Sequence, residues 1–296
     1  MTLGGYRIGP LLRKTAREIG SDHVTSLAAS AAYNFFFSLF PLLLFLAPLL
    51  SLVGNKQRMV DFLMARLTSV MPPSQLDAIR PALENIVFTD SAPGLLSAGL
   101  LLAAWSGSTV FGSLIGSLNT AFDVEETRPW VRQQLIRLGT FALSAVILIL
   151  TTVIFLGGED IANTVGGWLR LGDAFVTAWK FIQFPLAVVG LFGLAFVMIY
   201  FLPNIRQRKS HAMVGATVTT LLWLLATLLF RLYVQHFPPN PAYGFLGGVI
   251  VLLMWMYYTM FVMLAGGELA SELHHGTGAI EPRKGAVYHG RIVNGE

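Results

Sequence analysis

The chain has no cysteine in its 296 residues, so neither a disulfide framework nor a thiolate nucleophile or ligand can be built from it. Charge is scarce too: Asp, Glu, Lys and Arg make up 12% of the chain, where an ordinary soluble domain has about a quarter. The six histidines, His23, His211, His236, His274, His275 and His289, show none of the close His-x-His or Cys-His spacings of a metal centre. No glycine-rich phosphate loop with its lysine is present, nor a serine nucleophile elbow. Aromatic residues nowhere interleave with basic ones over a length that suits a nucleic-acid groove. These absences argue against an enzyme, a cofactor, a metal centre and a nucleic-acid partner.

What the chain does have is apolar length. Hydrophobic residues make up 54% of it, and the mean hydropathy is +0.64. Roughly 20 helical residues cross a bilayer. The pattern predicts an all-α polytopic membrane protein with six transmembrane helices, over 27–53, 95–122, 138–156, 181–202, 213–234 and 244–267. Residues 1–273 would form one membrane domain, and 274–296 a polar, loosely ordered tail. The start carries Arg7, Arg13, Lys14 and Arg17 without the apolar core of a signal peptide, so the first span is expected to persist in the mature protein.

Amphipathic segments flank the spans. Pro10 opens a short helix in which Leu12, Ala16 and Ile19 recur at helical spacing among basic residues, which suits a helix lying on the membrane surface. The first external loop, 55–94, keeps helical periodicity on both sides of Pro72-Pro73, and Ser74-Gln75-Leu76-Asp77 resembles a capping box. Two interfacial helices are expected there, and another short one near Ile161, Val165 and Trp168. Within the spans, Pro41 and Pro185 free backbone carbonyls and so kink their helices. Gly112 and Gly116 form a GxxxG pair suited to close helix packing.

Orientation follows from lysine and arginine placement. With the N-terminus in the cytoplasm, the inner side holds the basic residues before the first span, then Arg128, Arg132 and Arg137, then Arg206, Arg208 and Lys209, then those of the tail. The outer side holds mainly Lys56, Arg58, Arg66 and Arg80 in a long loop, whose charges count least. Both termini are therefore expected inside. Four polar residues at membrane depth, Asn34, Ser38, Asn119 and Gln183, are candidates either to line a pathway or to bond neighbouring helices. Glu268 closes the last span on the basic side, which makes it a candidate latch or coupling acid with Arg128, Arg132, Arg137 or Arg206 as partner.

Five ordered blocks carry a family resemblance. They are Ser26-Leu27-Ala28-Ala29-Ser30-Ala31-Ala32-Tyr33 with Phe37-Ser38-Leu39-Phe40-Pro41-Leu42; Trp105-Ser106 with Leu118-Asn119-Thr120-Ala121-Phe122; Tyr200-Phe201-Leu202-Pro203-Asn204; Gly215-Ala216 with Leu222-Trp223; and Tyr243-Gly244-Phe245-Leu246-Gly247-Gly248 through Gly267-Glu268-Leu269. Together they resemble the YihY/virulence factor BrkB family, once labelled ribonuclease BN. One departure is Gly266-Gly267-Glu268, where Gly-Ala-Glu is the family pattern. The resemblance implies a six-helix protein of the bacterial inner membrane with a role in the envelope. The missing ligand clusters give the ribonuclease label no support. Two readings stand beside each other: a transporter or lipid-handling protein, with anionic lipid as substrate or surface partner, and a non-enzymatic scaffold for envelope machinery.

Overall fold

The computed structural model describes residues 2–3, 6–52, 64, 93–156, 168, 172–236, 244–276 and 281–282. Nearly all of them are helical. In order the helices are α1 (Ile8–Ser21), α2 (Val24–Leu52), α3 (Pro93–Ala121), α4 (Trp130–Leu156), α5 (Gly172–Phe201), α6 (Lys209–His236) and α7 (Gly244–His275). Four two-residue strands accompany them: β1 (Thr2–Leu3), β2 (Tyr6–Arg7), β3 (Ile205–Arg206) and β4 (Glu281–Pro282), with β1 antiparallel to β2 and β3 antiparallel to β4. Among the described residues, five stretches, one in each of α3 to α7, are long and apolar enough to cross a membrane, and the apolar helical stretch Val24–Leu39 of α2 is shorter.

Local chemistry sets the helix ends. A turn at Asp22-His23 separates α1 from α2, with His23 at φ 52, and Asp123 takes the same left-handed value just after α3. Asp and His are among the non-glycine residues that tolerate this region. Pro129 precedes α4, and its carbonyl accepts the Gln133 N–H at 3.1 Å. Pro203 bars α5 from continuing. Several helices outrun their expected limits: α4 starts at Trp130 and α5 at Gly172, because polar residues at a membrane surface extend a helix without disturbing it. Pro185 lies inside α5 on its exposed side.

The chain divides into two compact units, Met1–Asn34 with Val110–Glu296, and Phe35–Thr109. In the first, α6 packs along α7, α5 lies between α4 and α6, and α1 lies against α7. The α6–α7 seam depends on glycine. A Cβ at Gly266 would sit 1.8 Å from Thr219 Oγ1, and one at Gly215 would sit 2.6 Å from the Gly266 carbonyl. Gly215 and Gly266 are the close-approach glycines of this seam, and Gly190 of α5 is equally tight against Thr151 of α4. A Cβ on Gly116 would meet nothing within 4 Å, and the space beside Gly112 is filled by the Arg137 guanidinium, so this pair does not bring two helix backbones together.

Helix α1 buries Leu11 against Leu269 and Leu273 of α7. Its expected apolar stripe instead leaves Leu12 and Ala16 exposed. The tail expectation also changes: His274 and His275 complete α7, and Glu281-Pro282 pair with Ile205-Arg206. The interfacial helices expected within 55–94 and near Ile161 fall outside the described residues, apart from Met64, Trp168 and the start of α3.

Candidate functional site

The polar residues of the first unit gather where α3 and α5 finish and α4 and α6 begin. Asn119, in the last turn of α3, accepts the Asn204 backbone N–H at 2.7 Å and donates to Glu126 Oε2 at 3.0 Å. Asn204 in turn donates from Nδ2 to the Glu125 carbonyl at 3.0 Å and to Thr127 Oγ1 at 3.1 Å. Arg128 is buried and holds Glu126 through Nε at 2.7 Å, while its Nη2 reaches both Glu126 and the Leu202 carbonyl, the latter at 2.9 Å. This joint satisfies the Leu202 carbonyl just past the end of α5 with Arg128 from the α3–α4 connection. Burial alone would raise the Glu126 pKa, but the hydrogen bonds and charge of Arg128, with help from Asn119, outweigh it and hold the carboxyl below its ordinary value.

Next to the joint lies a set of titratable groups. Glu268 is 1% exposed, and its Oε1 has no hydrogen-bond partner among the described residues. The charges acting on it come from Asp22, Glu18, Glu272 and Asp123, all of its own sign. No ion pair joins it to Arg128, Arg132, Arg137 or Arg206 among the described residues. The reason is geometric: Arg128 is committed to Glu126, and Arg137 turns back to Gln133 and Gln134 of its own helix. Arg132 and Arg206 are exposed. The latch on α7 is formed one turn later, where Lys14 of α1 meets Glu272 at 2.6 Å.

Three histidines, one of them distant in sequence from the other two, meet here. The His274 ring lies 5.9 Å from His211 and 6.4 Å from His275, and 6.3 Å from the Phe122 ring. Sequence spacing hid this group, because His211 opens α6 and the other two close α7. Among the described residues no three His, Cys, Asp or Glu side chains are placed to hold a metal. Ser271 Oγ lies 3.1 Å from His275 Nδ1, and His275 Nε2 lies 3.9 Å from Asp123 Oδ2. That is not a working triad: the serine is buried at 1% exposure, and the second distance exceeds a hydrogen bond.

Two of the other intramembrane candidates, Asn34 and Ser38, are occupied locally. Asn34 donates to Ser113 Oγ across two helices, and the buried Ser38 donates to the Phe35 carbonyl of its own helix at 2.7 Å. Gln183 is half-buried in α5, and Pro41 is half-buried in α2. On α6 and α7, Trp255 packs between Trp223, at 5.4 Å, and Phe230, at 5.1 Å, which gives the aromatic residues of the last helix a packing role. On the flank of α4 and α5 a cleft of about 340 Å³ has apolar walls, with Arg132 at the charged end.

Comparison with known proteins agrees with this architecture. The chain is 30% identical over 256 residues to a ribonuclease-like protein, YfkH, of Bacillus subtilis (strain 168), covering 84% of this chain and 90% of that one. It is 27% identical over 267 residues to a UPF0761 membrane protein of Vibrio vulnificus (strain YJ016), covering 88% and 82%. A longer UPF0761 membrane protein of Pseudomonas aeruginosa (strain LESB58) is 26% identical over 274 residues, 88% of this chain and 62% of that one. No solved structure matches. The model of the family described as virulence factor BrkB matches residues 15–287, and this all-α membrane protein belongs to that family.

Proposed function

We propose that the chain is a six-span protein of the bacterial inner membrane, with both termini and the charged end in the cytoplasm, that moves or handles an amphiphile for the cell envelope. It is not an enzyme on this reading. The observation that carries it is the contrast along the helices of the first unit. On α6 the buried residues are His211, Ala212, Gly215, Ala216, Thr219 and Thr220, all at the charged end. On α7 continuous burial begins near Met260, and on α5 the buried residues are Leu194, Ala195 and Ile199. Toward the other end the same helices expose Phe184, Leu225, Leu229 and Ile250, each more than half accessible. The helices are thus tied at one end by hydrogen bonds and expose apolar side chains at the other.

Such surfaces suit an amphiphile better than a small ion. An ion path needs polar walls at membrane depth, whereas Asn34, Ser38 and Asn119 are engaged by neighbouring groups. That engagement also supports the second reading, a scaffold for envelope machinery, which needs no path. The distribution of lysine and arginine supports the orientation. Purified protein in vesicles carrying a fluorescent anionic phospholipid and an entrapped soluble anion separates the readings. The expected result is lipid exchange between leaflets without anion leakage. If neither moves under any imposed gradient, the scaffold reading takes its place. RNA cleavage by the same preparation in magnesium would bring back the activity in the Bacillus relative's name.

A further inference from the structure

Helices α4 and α5 show the most apolar surface, and one part of it is concave. Leu135, Ile136 and Leu143 of α4 face Val197 and Phe201 of α5 across the cleft. Gly139 makes the notch in its wall: a Cβ there would meet nothing within 4 Å. Arg132 lies at one end, exposed, with no hydrogen-bond or ion-pair partner among the described residues. From Arg132 to Leu143 the wall runs three helical turns, roughly 16 Å at 1.5 Å per residue. That is close to half of the roughly 30 Å hydrocarbon thickness, the depth of one leaflet. The cleft is therefore as long as an acyl chain is deep, with a lone cation where a headgroup would sit.

We infer that this cleft binds one acyl chain of an anionic phospholipid of the adjoining leaflet, with Arg132 holding the phosphate; the inference rests on the reading that this flank meets the bilayer. Charge complementarity selects the occupant. A second copy of the chain would bring its own Arg132 to the same apolar wall, and a zwitterionic lipid would place its cation beside the guanidinium. An arginine also suits a phosphate, since its fork can hold two oxygens at once.

Native mass spectrometry of the full chain, released from mixed micelles of equal phosphatidylglycerol and phosphatidylcholine, tests this directly. Wild type is expected to retain phosphatidylglycerol in preference. Arg132→Gln should lower that preference roughly fivefold, the weight of one cation at an anionic surface. Gly139→Leu, whose Cβ meets nothing within 4 Å and which favours the helix, should reduce retention of both lipids. Lys209→Gln is the charge-matched control and should leave the preference within about twofold of wild type. Equal retention of the two lipids by wild type, or an unchanged preference in Arg132→Gln together with unchanged retention in Gly139→Leu, would overturn the site. Retention is read without transport: its loss while vesicle lipid exchange persists removes only the site, and the reverse removes only the transport reading.

Discussion

At the scale of residues, the charged end holds two kinds of acid. Glu126 is bound by Arg128 and Asn119, and its folded pKa lies below the unfolded value. A depressed carboxyl contributes stability that is complete above its unfolded pKa and is lost as pH falls through the folded one. The unfolding temperature in detergent should therefore decline below about pH 4.5, the ordinary value for this group, and Glu126→Gln should remove part of that decline. Arg128→Ala leaves a carboxylate and the Leu202 carbonyl without their donor, and is expected to lose about 2–4 kcal/mol, read by thermal unfolding at neutral pH. Glu268 is held differently. Since its carboxyl is buried, without an ion-pair partner among the described residues, and surrounded by Glu18, Asp22, Asp123 and Glu272, Glu268→Gln should leave the unfolding temperature unchanged or higher. A fall equivalent to more than about 2 kcal/mol would show that the carboxylate is paired after all. Glu272→Gln loses the Lys14 contact, but that lysine is 53% exposed, so the loss stays under about 1 kcal/mol.

Residue chemistry of this kind was only partly legible in the sequence. An acid at the end of the last apolar run is visible as a polar break, and Glu268 stands out for that reason. Its partners are not visible, because several cations of equal merit lie in the same loops, and the choice depends on which side chain another group has already claimed. Arg128 is only two residues from Glu126, and that proximity takes it first. The histidine group was hidden in another way, since His211 and His274 share no local pattern and meet only because α6 and α7 run antiparallel.

At the scale of elements, apolar runs of membrane length located α3 to α7 well, since composition alone determines which segments leave water. Small-residue spacing was less informative. GxxxG marks the chance of close approach, and whether a partner helix arrives depends on packing elsewhere. Here Gly215 and Gly266 meet their neighbour while Gly116 faces open space. Gly266→Val should therefore destabilise by about 1–3 kcal/mol through overpacking of the α6–α7 seam, whereas Gly116→Ala should be neutral or slightly stabilising. Thermal unfolding of the two variants side by side decides it, and equal sensitivity would mean that the seam does not depend on glycine. Gly267→Ala, which restores the family pattern, brings a Cβ within 2.5 Å of Leu118 Cδ2, the flexible end of a side chain, and a rotamer change accommodates it.

At the scale of the whole molecule, we propose that α5 and α6 are fastened at the charged end and separate at the other, while Trp223, Phe230 and Trp255 hold α6 to α7. The hydrogen bonds of Asn119, Asn204 and Arg128, the Lys14–Glu272 pair and the glycine seam all lie in the fastened half. The absence of native cysteine lets spin labels be placed singly or in pairs without background. The most direct measurement is the distance distribution between labels on α5 and α6, with one pair near the charged end at Phe201→Cys and Met213→Cys, and another at the far end at Phe184→Cys and Leu229→Cys. In vesicles with and without anionic lipid, the account predicts a narrow and unchanged distribution for the first pair, and a broad or lipid-dependent one for the second. Two narrow distributions, both indifferent to lipid, would contradict it.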